Sequence, residues 1–272
     1  MAKPTLDHFR QTISRVALVA AVAGLVGEPV AATAPADPAP WGRVLSQFER
    51  DGGLDYAGLQ RSRGDLDTYL DSLAAARLDG VTTEQRAAFW SNAYNAVVAH
   101  FVLDHYPDLD SVKDVPGFFD RRRHPVAGEE LTLDEIEDRA LASGDPRVHF
   151  AVVCASAGCP ELRSEPFAAE RLDRQLEEQT QAFLADPGKG LRFDRDTGTL
   201  WLSSIFMWYA DDFTGGSRVV AYFARGRVLD WVLDHLPPRQ AAEIAEHEPR
   251  VRYLDYDWSL NDRPAPLARP EG

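Results

Sequence analysis

The stretch Arg147–Pro160 reads RVHFAVVCASAGCP. How it folds decides the architecture. Val148, Phe150, Ala151, Val152 and Val153 form a short apolar run between Gly144-Asp145-Pro146 and Gly158. Such a run predicts a strand covered on both faces. His149 interrupts it. The run ends at Cys154, passes through the small residues Ala155–Gly158 and reaches Cys159-Pro160. These two cysteines are the only ones in the chain. A rigid strand opening into a loop is a common seat of chemistry.

Upstream, Thr82 and Gln85 make a capping-box start, and Arg86–Tyr106 is apolar on nearly every side. That pattern predicts a central buried helix. Asn92 and Asn95 lie three apart on one of its faces. Buried amides need partners, so these two either clamp a loop or belong to a site. Pro107 ends the helix, and Ser111–His124 reads as a loop. A small hairpin is expected at His124–Val126 and Glu130-Leu131, around Ala127-Gly128. A second capping box, Thr132 with Glu135, opens a helix to about Ala142.

Nearer the N-terminus, Trp41–Arg50 and Leu66–Ala76 have helical spacing, with a short strand expected at Leu54–Tyr56. After Pro160, Phe167–Ala185 reads as an amphipathic helix. Leu191–Asp194 and Thr199–Leu202 alternate across Asp196-Thr197-Gly198 as a hairpin. Ile205–Phe213 and Val219–Leu236 are further helices, and Arg252–Trp258 is strand-like. With no repeats and no mid-chain linker, the expectation is an α+β fold, a single helix-rich domain around a small sheet. It spans residues 41–262, after a Pro/Ala linker at 35–40 and before a loose tail at 263–272.

Residues 1–34 read as a secretory signal peptide. Lys3, Arg10 and Arg15 precede the apolar stretch Val16–Val26, and small residues follow it. No Cys follows that stretch, which argues against a lipid anchor. A periplasmic or secreted location is therefore expected, with no stable membrane anchor after cleavage, in a compartment where disulfides persist. The formal net charge of −14 argues against nucleic acid and anionic membrane surfaces as partners.

Three motifs carry a resemblance: Phe89–Asn95 (FWSNAYN), Asp145–Ala151 running into Cys154-Ala155-Ser156 and Cys159-Pro160, and Tyr253–Asn261 (YLDYDWSLN). With them in this order the chain resembles an uncharacterised family, catalogued as domain of unknown function 547, over roughly Thr82 to Asn261. The resemblance implies a fold of its own and a shared site built from these motifs. It names no substrate.

Two chemistries compete for the cysteines. Five apart, they are able to close a small disulfide loop that pins the turn. Alternatively, Cys159 is a nucleophile. Pro160 favours a helix start, and a thiol at that N-cap ionises more easily. His149 then shuttles the proton, and Asn92 or Asn95 orients the ring or donates to an oxyanion. Cys154 and His149, an odd number apart, face opposite sides of a regular strand, so Cys159 is the better partner.

The leading expectation is thus a thiol-dependent hydrolase or acyltransferase acting on a peptide-like or amide substrate. The alternative is a non-catalytic binding or scaffold domain braced by a Cys154–Cys159 disulfide. No cofactor is called for, and His100, His105, His124 and His149 lack any tight metal-ligand spacing. Asp134, Glu135 and Glu137 are explained by capping and the first helical turn. Asp255 and Asp257 are read as solvated or structural. Phe206, Trp208, Tyr209 and Phe213 are read as core rather than as a sugar platform.

Overall fold

The computed structural model describes residues 35–215 and 221–265, which belong to one compact unit. The signal-peptide reading of residues 1–34, the first residues of the helix expected from Val219, and most of the tail lie outside the described residues. Among the described residues, no helix is long and apolar enough to cross a membrane.

Three helices, α1 (Ala39–Phe48), α2 (Tyr56–Arg61) and α3 (Gly64–Ala75), are interrupted by the tiny hairpin β1 (Glu49–Arg50) and β2 (Gly53–Leu54). The expected strand at Leu54–Tyr56 gives way to α2, because the Asp55 side chain accepts from Gly58 N at 2.8 Å and caps a helix there. The long helix α4 (Thr83–Leu103) starts at the Thr82/Gln85 capping box and is buried almost throughout. The hairpin β3 (His124–Val126) and β4 (Glu129–Leu131) follows. Helix α5 (Leu133–Leu141), opened by the Thr132/Glu135 capping box, packs along α4.

The expected strand at Val148 does not form. Pro146–Phe150 is a 3-10 turn instead, and residues 152–154 run on without a ladder. The reason is local. Asp145 Oδ1 accepts from Arg147 N at 2.9 Å, and Pro146 occupies the first helical position with its φ preset. Burial of an apolar run is shared by strands and buried turns, so pattern alone misassigned it.

Side chains then replace the missing ladder. Asn95 Nδ2 donates to Ala151 O at 2.9 Å, and Val153 N donates to Asn95 Oδ1 at 2.8 Å. Asn92 holds Phe167 in the same two-sided way, at 2.8 and 2.9 Å. From α6 (Leu172–Ala185), Gln179 Nε2 donates to Phe150 O and Glu161 O, tying down both ends of the segment. No helix begins at Pro160, which corrects the N-cap expectation for Cys159. The next regular turn starts only at Ala169.

Beyond α6, strands β5 (Leu191–Asp194) and β6 (Thr199–Leu202) form the expected hairpin. The expected helix at Ile205–Phe213 is two short ones, α7 (Ile205–Trp208) and α8 (Ala210–Phe213), divided at Tyr209. Helix α9 (Ala221–Asp234) is followed by α10 (Pro238–Glu246), a helix absent from the sequence expectations, with Pro238 at its permissive first position. Strand β7 (Arg250–Tyr253) joins β6 in parallel, giving the sheet order β5-β6-β7.

Two apolar clusters result, one around α4 and one around this sheet. Phe150 belongs to the second, while its neighbours Val148 and Ala151 belong to the first, so the turn at 146–150 stitches the two together. Replacing Asn95 by Ala strands one buried carbonyl and one buried N–H. Urea unfolding of Asn95→Ala is expected to show a loss of about 2–4 kcal/mol.

Candidate functional site

The seam between the clusters opens into a cavity of about 520 Å³. Segment 149–160 forms one wall, with His149, Val152, Cys154, Cys159 and Pro160. Helices α4 and α5 contribute Tyr94, Asp134 and Glu137, and the loop after α4 contributes Phe119 and Asp120. The remaining wall is aromatic: Trp208 and Tyr209 with Ile205, then Tyr256 and Trp258.

Cys154 and Cys159 are joined in a disulfide, and neither thiol is free. The structure thus holds the disulfide alternative and offers no free Cys159 thiol. The Cys154 backbone N–H donates to Cys159 Sγ at 3.0 Å, and the Tyr256 hydroxyl does so at 3.1 Å.

The disulfide loop is gripped from outside by the C-terminal segment. Ala157 N donates to Ser259 O at 2.7 Å, Gly158 N to Asp257 O at 2.8 Å, and Asn261 N to Ala155 O at 2.9 Å. A Cβ on Gly158 would come within 2.9 Å of Asp257 N, so glycine is what permits this approach. Tyr56 Oη, donating to Asn261 Oδ1, fixes the far end. Tyr256 and Trp258 therefore face the cavity, whereas Asp255 and Asp257 line a separate, smaller depression.

All three sequence motifs thus meet at one place: FWSNAYN supplies the clamps, RVHFAVVCASAGCP the wall, and YLDYDWSLN the strap over it. Residues 78–184 match the family described as "Protein of unknown function, DUF547". The match takes in the first two motifs and ends before the third. No curated protein and no solved structure matches the chain. The family description carries no activity, so the chemistry must come from the site.

His149 is buried in the cavity wall, with its ring tilted against Tyr209 at a centroid separation of 4.1 Å. Its Nε2 lies 2.8 Å from Asp212 Oδ2 and its Nδ1 3.9 Å from Glu137 Oε1. Burial lowers the His149 pKa, opposed by the hydrogen bond and charge of Asp212, which favours the neutral ring. A neutral ring that donates Nε2–H to Asp212 turns its Nδ1 lone pair toward Glu137.

Glu137 has a side chain only 14 % exposed. Burial pushes its pKa from 4.5 up to about 7, a hydrogen bond from Tyr209 opposes the rise, and the charges of Asp134, Asp138 and Asp212 add to it. Tyr94, Tyr209 and Tyr256 all feel this carboxyl, and their hydroxyls are raised by burial first and by Glu137 in addition. Asp134 is also raised, through burial and the nearby Asp120, Asp138 and Glu135.

Sequence reasoning placed His149, Cys154 and Cys159 at one site, and all three line the cavity. Asn92 and Asn95 do not line it. Their amides are committed on both sides, so they position the wall. Glu137 and Asp212 were missed. Glu137 had a legible signal: it shares the stripe of Leu133, Ile136 and Ala140 at spacings of three and four, so it is a carboxylate on the inward face of an amphipathic helix. Asp212 had none, since it meets His149 only through the fold. The aromatic run divides: Phe206 and Phe213 are core, while Tyr209 and Trp208 line the cavity. Among the described residues, no group of three or more His, Cys, Asp or Glu side chains is placed to hold a metal ion.

The Glu137 carboxyl makes a pH prediction. Between pH 4.5 and about 7 the unfolded chain has lost this proton while the native one keeps it, so stability falls as pH rises through that window. The contribution is on the order of 3 kcal/mol. Glu137→Gln removes it. Denaturant unfolding should show the variant gaining on the parent protein across this window, with the gain complete above about pH 7.

Proposed function

We propose that this chain is a small-molecule binding domain whose cavity wall is fixed by the Cys154–Cys159 disulfide. The observation that carries this reading is the disulfide itself, set in the wall of a concave aromatic cavity and strapped by the Tyr253–Asn261 segment. Pockets of this size, mostly apolar with a few convergent polar groups, are the usual form of small-molecule sites. A periplasmic or secreted setting suits a disulfide of this kind.

Intact-mass analysis with alkylation, without prior reduction, tests the reading. The expected result is no adduct, together with ligand-dependent tryptophan fluorescence that persists at weaker affinity in a Cys154→Ser/Cys159→Ser protein that still folds. A panel of small aromatic fragments should produce saturable fluorescence changes that Trp258→Ala abolishes. Failure of every fragment overturns the binding reading.

A second reading keeps the thiol-dependent hydrolase or acyltransferase, for the reduced protein alone. Its support is the pair of donors on Cys159 Sγ, the Cys154 N–H and the Tyr256 O–H, which would favour a thiolate there. In it Cys159 attacks and His149 shuttles the proton, on a peptide-like or amide substrate. One fast-alkylating thiol in the protein as isolated would favour this reading over the first.

A further inference from the structure

We propose that the cavity binds a small organic cation carrying a quaternary ammonium group, with Glu137 as its counter-charge and the Trp208, Tyr256 and Trp258 rings as its walls. The inference rests on the binding reading and names its ligand class.

Three features of the cavity point the same way. The first is charge. The lining includes Asp120, Asp134 and Glu137 and no lysine or arginine. Asp120 has Arg121 at 3.9 Å on the exposed side, and among the described residues neither Asp134 nor Glu137 has a Lys or Arg partner. An anion entering this space would meet these carboxyls, and Lys113, the one cation the structure sets on a lining ring, is not itself among the lining residues.

The second is the aromatic surface. Trp208, Tyr256 and Trp258 form a cluster with centroid separations of 4.7, 4.9 and 5.8 Å. Ring faces attract cations within about 6 Å, and more strongly where water is excluded. This cluster already takes one: Lys113 Nζ stands 4.9 Å from the Trp258 centroid.

The third is exposure. Trp208 is 45 % exposed at the rim and is one of two large apolar side chains left so open among the described residues; the other is the adjacent Met207. Indole surface left open beside a cavity is what a ligand would cover.

Buried Glu137 then has a purpose. Alone it is pushed toward its protonated form, by burial first and by the neighbouring carboxylates in addition. A trimethylammonium group, which cannot donate hydrogen bonds and loses little on leaving water, is suited to a carboxylate reached across an aromatic wall.

The test uses the oxidised, full-length protein with three probes of matched shape. They are choline, its uncharged carbon isostere with tert-butyl in place of trimethylammonium, and the anion tert-butylacetate. Calorimetry and tryptophan fluorescence should show choline binding saturably and about tenfold tighter than the isostere. Glu137→Gln should remove that advantage while leaving the isostere's affinity unchanged. If Glu137→Gln does not fold, Trp208→Leu on the rim serves: it keeps apolar contact, removes the ring face, and should weaken choline more than the isostere.

Equal or tighter binding of the isostere or of tert-butylacetate overturns the cation inference and leaves the binding reading standing. Choline affinity unchanged in both variants also overturns it. So does the absence of saturable binding by all three probes, while the fragment panel separately decides whether the cavity binds anything.

Discussion

The structure depends on the hydrogen bonds that the Asn95 amide makes to Ala151 and Val153. A buried backbone segment must satisfy its N–H and C=O groups, and outside a helix or sheet only side chains or other loops remain to do it. Segment 150–162 meets this demand almost entirely with borrowed partners. Asn95 takes one carbonyl and one N–H, Gln179 takes the carbonyls at each end, and the backbone at 257–261 takes the middle. Gly52 O receives Leu162 N and closes the run. The segment is irregular yet is held at both ends and in the middle, which is how a loop comes to be as rigid as a strand. That rigidity lets it hold a histidine and a disulfide in the wall of an open cavity.

Placing the wall between two apolar clusters has an electrostatic consequence. Glu137 and His149 both lie where water is scarce, and burial moves each toward its neutral form: the carboxyl upward, the imidazole downward. Asp212, nearer solvent, holds the ring from the other side. Two titratable groups brought close to neutrality on opposite sides of one short gap form the kind of arrangement found at binding and catalytic sites. Structural ion pairs elsewhere in the chain look different. Arg147 with Asp145 and Asp173, and Arg163 with Glu165 and Glu178, each pair a guanidinium with carboxylates of opposite full charge.

Much of this was legible in the sequence because it is written in local chemistry. Both capping boxes, the buried character of α4 and the β5–β6 hairpin depend on neighbours a few residues apart. The motifs also marked the right places: three distant segments meet at one cavity. What was not legible depends on long-range partners. The Val148 run looked like a strand because its burial resembles a strand's. Only the pairing of Asn95 with residues 56 and 58 positions away distinguishes an irregular segment that needs no ladder. The same holds for Asp212 against His149, 63 positions apart. Glu137 is a different failure. Its helical phase was visible, but its place near the start of a helix supplied a sufficient local explanation, and that concealed the inward direction of its side chain.

The cysteine spacing now has a physical reason. Five residues let the loop Cys154–Cys159 turn through Ala155, which has a positive φ of 63°, and return with a Cα separation of 6.3 Å. A loop so short gains little stability from chain entropy. Its effect is instead to fix direction. With the sulfurs joined, Gly158 stays against Asp257, and the alternation along 255–258 follows: tyrosine and tryptophan point into the cavity while the two aspartates point away. Opening the disulfide would loosen the strap before it disturbed the core, because Tyr256 touches both sulfurs through its hydroxyl. The aromatic wall and the disulfide are therefore one mechanical unit, and the shape of the cavity is the quantity they jointly control.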